Sequence, residues 1–201
     1  MWRTMADCHR IQKRTIEEAK LLLLSSYSAA AAAAKPSEAA RAARSAAALE
    51  AELRNWRSCL EAWIAAQRAY ARALAGWALR CDGSGGAAAQ SPRGERPSSA
   101  GGACLQWSRV LESVSEAQVV DGLDLFAAGM GSVIGAQRRS GEGKEDGEVD
   151  GGPWMTPEKV MEIAGRVLCA GLSVAVSSLT EFAVSSAEGY EALVKRRGEG
   201  L

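Results

Sequence analysis

The stretch LEAELRNWRSCLEAWIAAQRAYARALAGWALRC, residues 49–81, decides the fold. Leu49, Leu53, Trp56, Leu60, Trp63, Gln67, Tyr70, Leu74, Trp77 and Cys81 recur at alternating steps of four and three. Residues at that spacing lie on one side of an α-helix, and a sustained seven-residue repeat favours a left-handed crossing with a long partner helix. Ala39, Ala42 and Ala46 carry the stripe backwards. Ser37, an N-cap residue type followed by Glu38 in the first turn, is the expected start. Arg54, Arg57, Glu61, Arg68 and Arg72 flank the stripe and read as a solvated rim whose stems cover its edges.

Upstream, Trp2, Met5, His9, Gln12, Ile16, Ala19 and Leu23 keep the same alternation, which predicts a first helix from Trp2 to about Ala34. Pro36 is expected to stop it. The short connection at Lys35-Pro36 makes this helix the expected antiparallel partner of the second. Downstream, residues 82–102 are rich in Gly, Ser, Pro and Ala and read as a flexible linker. A third helix is expected over 103–117, with Cys104, Trp107, Leu111 and Val114 on one face. A fourth is expected over 121–138, capped by Asp121, with Leu123, Phe126, Ala127, Met130 and Ile134 as its apolar side. Gly129, Gly131 and Gly135 are costly inside a helix and are expected to permit close helix approach. An acidic, Gly-rich second linker covers 139–156. Thr156 then caps a helix with Pro157 in its first turn that runs to about Arg197, with Leu168, Leu172, Ala175, Leu179, Phe182 and Leu193 on its apolar side. The organisation expected is a helical coiled-coil domain over 1–138, the linker at 139–156, and a C-terminal helix over 157–197 packing on the bundle.

Composition agrees with helices. The chain has 201 residues, 47% hydrophobic but only 5% aromatic, with six of its aromatic residues Trp. No run alternates apolar and polar residues over a strand length. The fold class expected is therefore all-α: an elongated antiparallel bundle of long coiled-coil-like helices with Gly-rich linkers. Lys and Arg number 24 and Asp and Glu 24, so net charge gives no argument for nucleic acid or an anionic membrane as main partner. The longest uninterrupted apolar run, Val167 to Thr180, falls short of the roughly 20 residues of a membrane span. Cys8, Cys59, Cys81, Cys104 and Cys169 contain no CxxC pair and read as buried thiols of a reducing compartment.

The chemistry of the chain points away from catalysis. His9 is the single histidine and sits on the helical stripe, where a polar core position is its simplest role. A hydrolase triad needs it as base. The nearest nucleophile-elbow sequence, Gly171 to Ala175 around Ser173, lies mid-helix, ends in Ala, and has no histidine after it. No cysteines stand at zinc-ligand spacing. The carboxylate pairs Glu17-Glu18 and Glu50/Glu52 lie on expected solvent faces. Residues 83–86, Gly-Ser-Gly-Gly, follow a helix and lack the Lys of a phosphate loop. No catalytic residue, cofactor, metal or small-molecule substrate is expected. Leu49, Leu53, Trp56, Leu60, Trp63, Tyr70, Leu74 and Trp77 are the candidate residues, either as core or as partner-binding anchors.

Residues 56–70 followed by 74–81 resemble the helical core of the plant nitrate-regulatory and rolled-and-erect-leaf proteins, a bZIP-like family. So do Trp2 to His9, Cys104 to Ser108 and Asp121 to Gly131, in that order. The four segments together cover most of the chain outside the linkers. The resemblance implies the C-terminal helical domain of unknown function (the 632 domain) of a longer parent whose N-terminal domain begins Met-Gly-Cys. This chain begins Met1, Trp2, Arg3, Thr4, so that membrane anchor is not carried over. No basic block precedes the stripe, as a zipper that reads DNA would need. What the resemblance implies is a non-catalytic scaffold in nitrate response or leaf development. It would be intracellular, in nucleus or cytoplasm, with plasma-membrane association belonging to the full-length parent. Its partners would be other proteins through helical surfaces, and itself if the stripe is open. The alternative is a nucleic-acid-associated transcriptional regulator, motivated by the arginines along the second helix.

Overall fold

A computed structural model describes residues 1–32, 35–83, 99–142 and 156–198. They form five helices, and among the described residues there is no strand: α1 Trp2–Ala32, α2 Pro36–Gly83, α3 Ser99–Ser113, α4 Ala117–Glu142 and α5 Pro157–Gly198. The all-α bundle expected from the sequence is the fold observed. α2 has 48 residues, which at 1.5 Å per residue makes a rod of about 70 Å. α3 and α4 together run back along it: Arg72 pairs with Glu112, Arg68 with Glu116 and Arg57 with Asp124. α5 reverses again, with Gly122 of α4 beside Ser178 and Gly129 beside Val167. α1 covers the far side of α5 in antiparallel order, its Arg3 on Glu191 and its Glu17 on Ser173.

The expected pairing of α1 with α2 is corrected. α1 packs along α5, and among the described residues the α1 and α2 backbones do not come together. The reason lies in side-chain size. Ala6 is buried against Ala183 and Ala187 of α5, small residues that admit close approach. The row that would have faced α2 is thin and polar in its middle: His9 and Gln12 are bonded to each other, Nδ1 to Oε1 at 2.8 Å. The side chain of Leu23 lies outside the described residues.

Helix ends follow local chemistry. Pro36, expected to end the first helix, opens the second. It occupies the first helical position, where its missing N–H costs nothing, so Lys35 is the N-cap in place of Ser37. The Lys35 N–H donates to the Glu38 carboxylate at 3.0 Å, half of a capping box. α3 begins at Ser99, so residues 99–102 are helical and not linker; 84–98 and 143–155 lie outside the described residues. α4 begins at Ala117, where the Glu116 carbonyl accepts the N–H groups of Val119 and Val120, both at 3.0 Å. Asp121 therefore sits inside the helix and does not cap it. Thr156 does cap α5, accepting the Lys159 N–H at 3.4 Å. Thr156→Ala is expected to cost about 1 kcal/mol in urea denaturation, and an unchanged midpoint would show that the cap contributes nothing.

The core is where α2, α4 and α5 meet. Val119, Leu123, Phe126, Met130, Val133 and Ala136 line the inner side of α4, with Ala39 and Ala46 of α2 and Val160 and Ala175 of α5. Glycine makes the α4–α5 crossing close. A Cβ on Gly129 would stand 2.7 Å from Val167, as expected of that residue. Gly131 and Gly135 do not serve a helix crossing: the first faces the Glu50 carboxylate and the second its own helix's Arg139. Gly122 and Gly171 carry the approach instead.

Counting only uninterrupted apolar residues understated two helical stretches. Gly101–Arg139 and Pro157–Lys195 reach mean hydropathies of 1.4 and 1.8 over 18 residues, long and apolar enough by length and composition to cross a membrane. A buried bundle helix meets the same measure. The first stretch is broken at Val114–Glu116 between α3 and α4, and both turn apolar sides onto neighbouring helices.

Candidate protein-binding face

α2 divides its apolar residues between two sides. Leu49, Leu53 and Leu60 pack against the core and Leu74 is half-buried. The row completing the inner face is not Trp56, Trp63, Tyr70 and Trp77. It is the row one position on: Arg57, Ile64, Ala71 and Ala78, of which Ala71 is 0% exposed and Ile64 and Ala78 are 6%. α3 and α4 lie close enough to demand small side chains there, and an indole does not fit between such backbones. The aromatics are displaced outward, with Trp56 43% exposed, Trp63 40%, Tyr70 61% and Trp77 58%. They stand every seventh residue on one side of α2.

Beside them the helix carries only small or uncharged residues. Cys59, Ala66 and Ala73 form one exposed row. Asn55, Ala62, Ala69 and Gly76 form the next. No charged residue falls in these three rows between Asn55 and Trp77. Charge is confined to the other flank, where Arg54 pairs with Glu50, Arg57 with Asp124, Arg68 with Glu116 and Arg72 with Glu112. A three-heptad apolar face bearing four large aromatics is a surface water solvates poorly.

The bundle supports this face at two points. The Trp2 ring lies 6.0 Å from that of Trp63, and also meets Phe182 at 5.7 Å and Tyr190 at 6.4 Å. Tyr70 meets Trp107 edge-on at 6.0 Å, and the Trp107 indole N–H donates to the Tyr190 hydroxyl at 2.9 Å. Four helices thus hold Trp63 and Tyr70 in fixed orientation, while Trp56 and Trp77 make no ring contact among the described residues. Trp77→Ala is accordingly expected to change unfolding free energy by less than about 1 kcal/mol, since little area is regained from water. A loss of several kcal/mol on chemical denaturation would show that the ring is buried.

Arg68 fixes the angle at which α3 meets the face. Its guanidinium donates to the Leu111 carbonyl at 3.0 Å and the Val114 carbonyl at 2.8 Å, satisfying acceptors that the end of α3 leaves open. It also grips Glu116 with two bonds of 2.7 and 2.6 Å. Those bonds hold the Glu116 carboxyl below its ordinary value and raise the guanidinium further above its own. A neighbouring trough of about 740 Å³, open to solvent, is lined by Trp2, Tyr190, Ala187 and Val194 with Arg3, Glu191 and Lys195 at its rim.

The remaining groups are dispersed. His9 bonds Gln12 on its own helix, and the Ser173 hydroxyl donates to Glu17, further along α1 than His9. Among the described residues no group of three His, Cys, Asp or Glu side chains is placed to hold a metal ion. Of the cysteines expected to be buried, Cys169 is and Cys104 is partly so, but Cys8, Cys59 and Cys81 are exposed, because their rows fall outside the contacts between helices. The sequence period located the aromatic row. The charge-free alanine rows beside it went unread, although their spacing is visible in residues 55–77.

The fold is an all-α bundle with an aromatic and alanine face exposed on α2. More particularly, the chain belongs to the family described as a protein of unknown function, DUF632, whose match covers residues 1–132. No curated protein and no solved structure matches the chain.

Proposed function

We propose that the protein is a non-catalytic interaction scaffold that binds partner helices on the outer face of α2. The observation carrying this reading is the uncharged surface of Trp56, Trp63, Tyr70 and Trp77, 40–61% exposed and flanked by alanine. Large aromatics that are partly held and partly open are the anchors that dominate helix-in-groove recognition. The resemblance to plant nitrate-regulatory and rolled-and-erect-leaf proteins sets this scaffold, in our reading, in plant signalling in the nucleus or cytoplasm, without enzymatic activity of its own. The arginines of α2 that suggested nucleic-acid binding face carboxylates at Glu50, Asp124, Glu116 and Glu112. That pairing speaks for protein partners.

The test compares the native chain with a Trp56→Lys/Trp77→Lys variant in cross-linked recovery of bound proteins from plant extract. The expected result is a discrete set of partners that the variant loses while its helicity and melting temperature stay within error of the native chain. Recovery of the same set by both would overturn the reading. So would retardation of duplex DNA by the native chain at low salt in the absence of any recovered protein.

A further inference from the structure

Gln67 breaks the apolar row of α2 that Leu53, Leu60 and Leu74 otherwise fill. It stands between Trp63 and Tyr70, and aromatic rings close around it. Trp63 meets Trp2 at 6.0 Å and Trp2 meets Tyr190 at 6.4 Å. The Tyr190 hydroxyl accepts the Trp107 N–H, and Trp107 meets Tyr70 at 6.0 Å. The circuit runs from one side of Gln67 to the other through four helices. Beneath it, Gln67 and Ser186 line a cavity of about 20 Å³ together with Trp2, Trp63 and Tyr190. Ser186 is 3% exposed, yet neither its hydroxyl nor the Gln67 amide makes a hydrogen bond among the described residues. Buried polar groups are nearly always satisfied, so the two call for a donor arriving from the aromatic side. We propose, resting on the reading of the α2 face as a binding surface, that the notch between Trp63 and Tyr70 takes the guanidinium of an arginine carried by the partner helix.

Distance and charge both select that group. Trp63 and Tyr70 are seven residues apart, about 10 Å along the helix. A group midway stands about 5 Å from each, within the roughly 6 Å over which a cation is attracted to an aromatic ring. A guanidinium is weakly hydrated and presents several N–H donors. The Gln67 Oε1 accepts one directly, and the Ser186 hydroxyl is reached through one bridging water, for which the cavity has room. An apolar side chain would cover both groups without bonding them, at the full cost of their desolvation. An anion is disfavoured, because Arg68 and Arg3, on the adjoining parts of α2 and α1, are already held by Glu116 and Glu191. The neighbouring intervals of the face lack these features. Trp56 to Trp63 spans Leu60 and Tyr70 to Trp77 spans Leu74, and each has an outer ring without a ring contact among the described residues.

The test follows the indole N–H signals of the six tryptophans by NMR in the full chain. The probe is N-acetyl-arginine methylamide, with N-acetyl-norleucine methylamide as its neutral counterpart at the same ionic strength. A saturable shift of the Trp63 and Trp107 signals is expected, with the arginine probe bound about tenfold more tightly than the norleucine one. Tyr70→Leu, at a position 61% exposed, is expected to weaken arginine binding about fivefold with helicity unchanged by circular dichroism. Gln67→Leu is expected to erase the preference for arginine over norleucine, a change in selectivity that a loss of folding would not produce. Trp77→Leu is expected to leave both affinities as they are. Norleucine binding as tightly as arginine in the native chain overturns the proposal, as does the lack of a saturable shift at Trp63. The source of the guanidinium is then read from proteins recovered from plant extract on the native chain. Their release by the arginine probe, and not by the norleucine probe, supports a partner-borne arginine. Proteins captured through Trp56 and Trp77 that the arginine probe does not release overturn it and leave the scaffold reading standing. Arginine binding at Trp63 with no protein recovered overturns both.

Discussion

Gly171→Ala is expected to destabilise the bundle by about 3 kcal/mol, the upper range for overpacking a well-filled core. An added Cβ would stand 1.9 Å from Cδ2 of Phe126 and 2.4 Å from its Cγ. Those are ring atoms near the ring's attachment, and no tip rotation clears them. Phe126 is 3% exposed and packed among α2, α4 and α5, so it has no cavity to enter. α4 and α5 must separate or the ring must leave its rotamer. The gain of about 1 kcal/mol that alanine brings to a helix interior offsets only part of this. For a chain of this size the net loss corresponds to a fall in melting temperature of roughly 10 °C. Gly171→Ala/Phe126→Leu is expected to recover about half, because the shorter side chain vacates the contested space. Gly135→Ala is the control: its Cβ would meet only Arg139 of the same helix, at 3.6 Å, and a gain of about 0.5–1 kcal/mol is expected. A Gly171→Ala chain that melts with the native one would refute the close α4–α5 crossing.

Arg68→Ala is expected to cost about 3 kcal/mol, because one side chain serves three acceptors and its removal leaves a partly buried carboxylate and two open carbonyls. The pair is well covered, with side-chain exposures of 20% for Arg68 and 25% for Glu116. Arg68→Lys keeps the charge but not the planar fork, and is expected to recover less than half. The pH dependence identifies the interaction. Glu116 is held below its ordinary value in the folded chain, first by its hydrogen bonds from Arg68. Its contribution to stability is therefore complete above the unfolded carboxylate value of about 4.3 and is lost as pH falls through the lower folded value. The guanidinium stays charged throughout. Urea midpoints of native and Arg68→Ala chains should differ most at neutral pH and converge below about pH 4. A difference that stayed constant on acidification would show that the carbonyl bonds alone account for the effect.

How far the residues alone revealed these features differs from one element to the next. All five helices could be read from period, caps and breakers. Thr156 and Pro157 marked the start of α5 because a cap is a contact between residues a few positions apart. Asp121 misled for the complementary reason: its cap chemistry was available, but the Arg68 bonds to Leu111, Val114 and Glu116 stop α3 and set the start of α4 earlier. Those bonds join residues far apart in the chain, and no local pattern announces them. Gly129 was identified as a site of close approach, while Gly171, which allows the closest one, was passed over as part of an apolar run.

The sequence by itself determined that this protein is helical, where its helices lie within a few residues, and that α2 carries an aromatic row every seventh position. Periodicity and capping are properties of neighbouring residues, so they survive without knowledge of the fold. Only the tertiary structure decided which helix meets which and which row turns inward. A stripe containing Leu53, Leu60 and Leu74 can be completed from either side, by Trp56, Trp63 and Trp77 or by Ile64, Ala71 and Ala78. The choice fell to the small residues because α3 and α4 pack close to α2, and that closeness left the aromatics facing water.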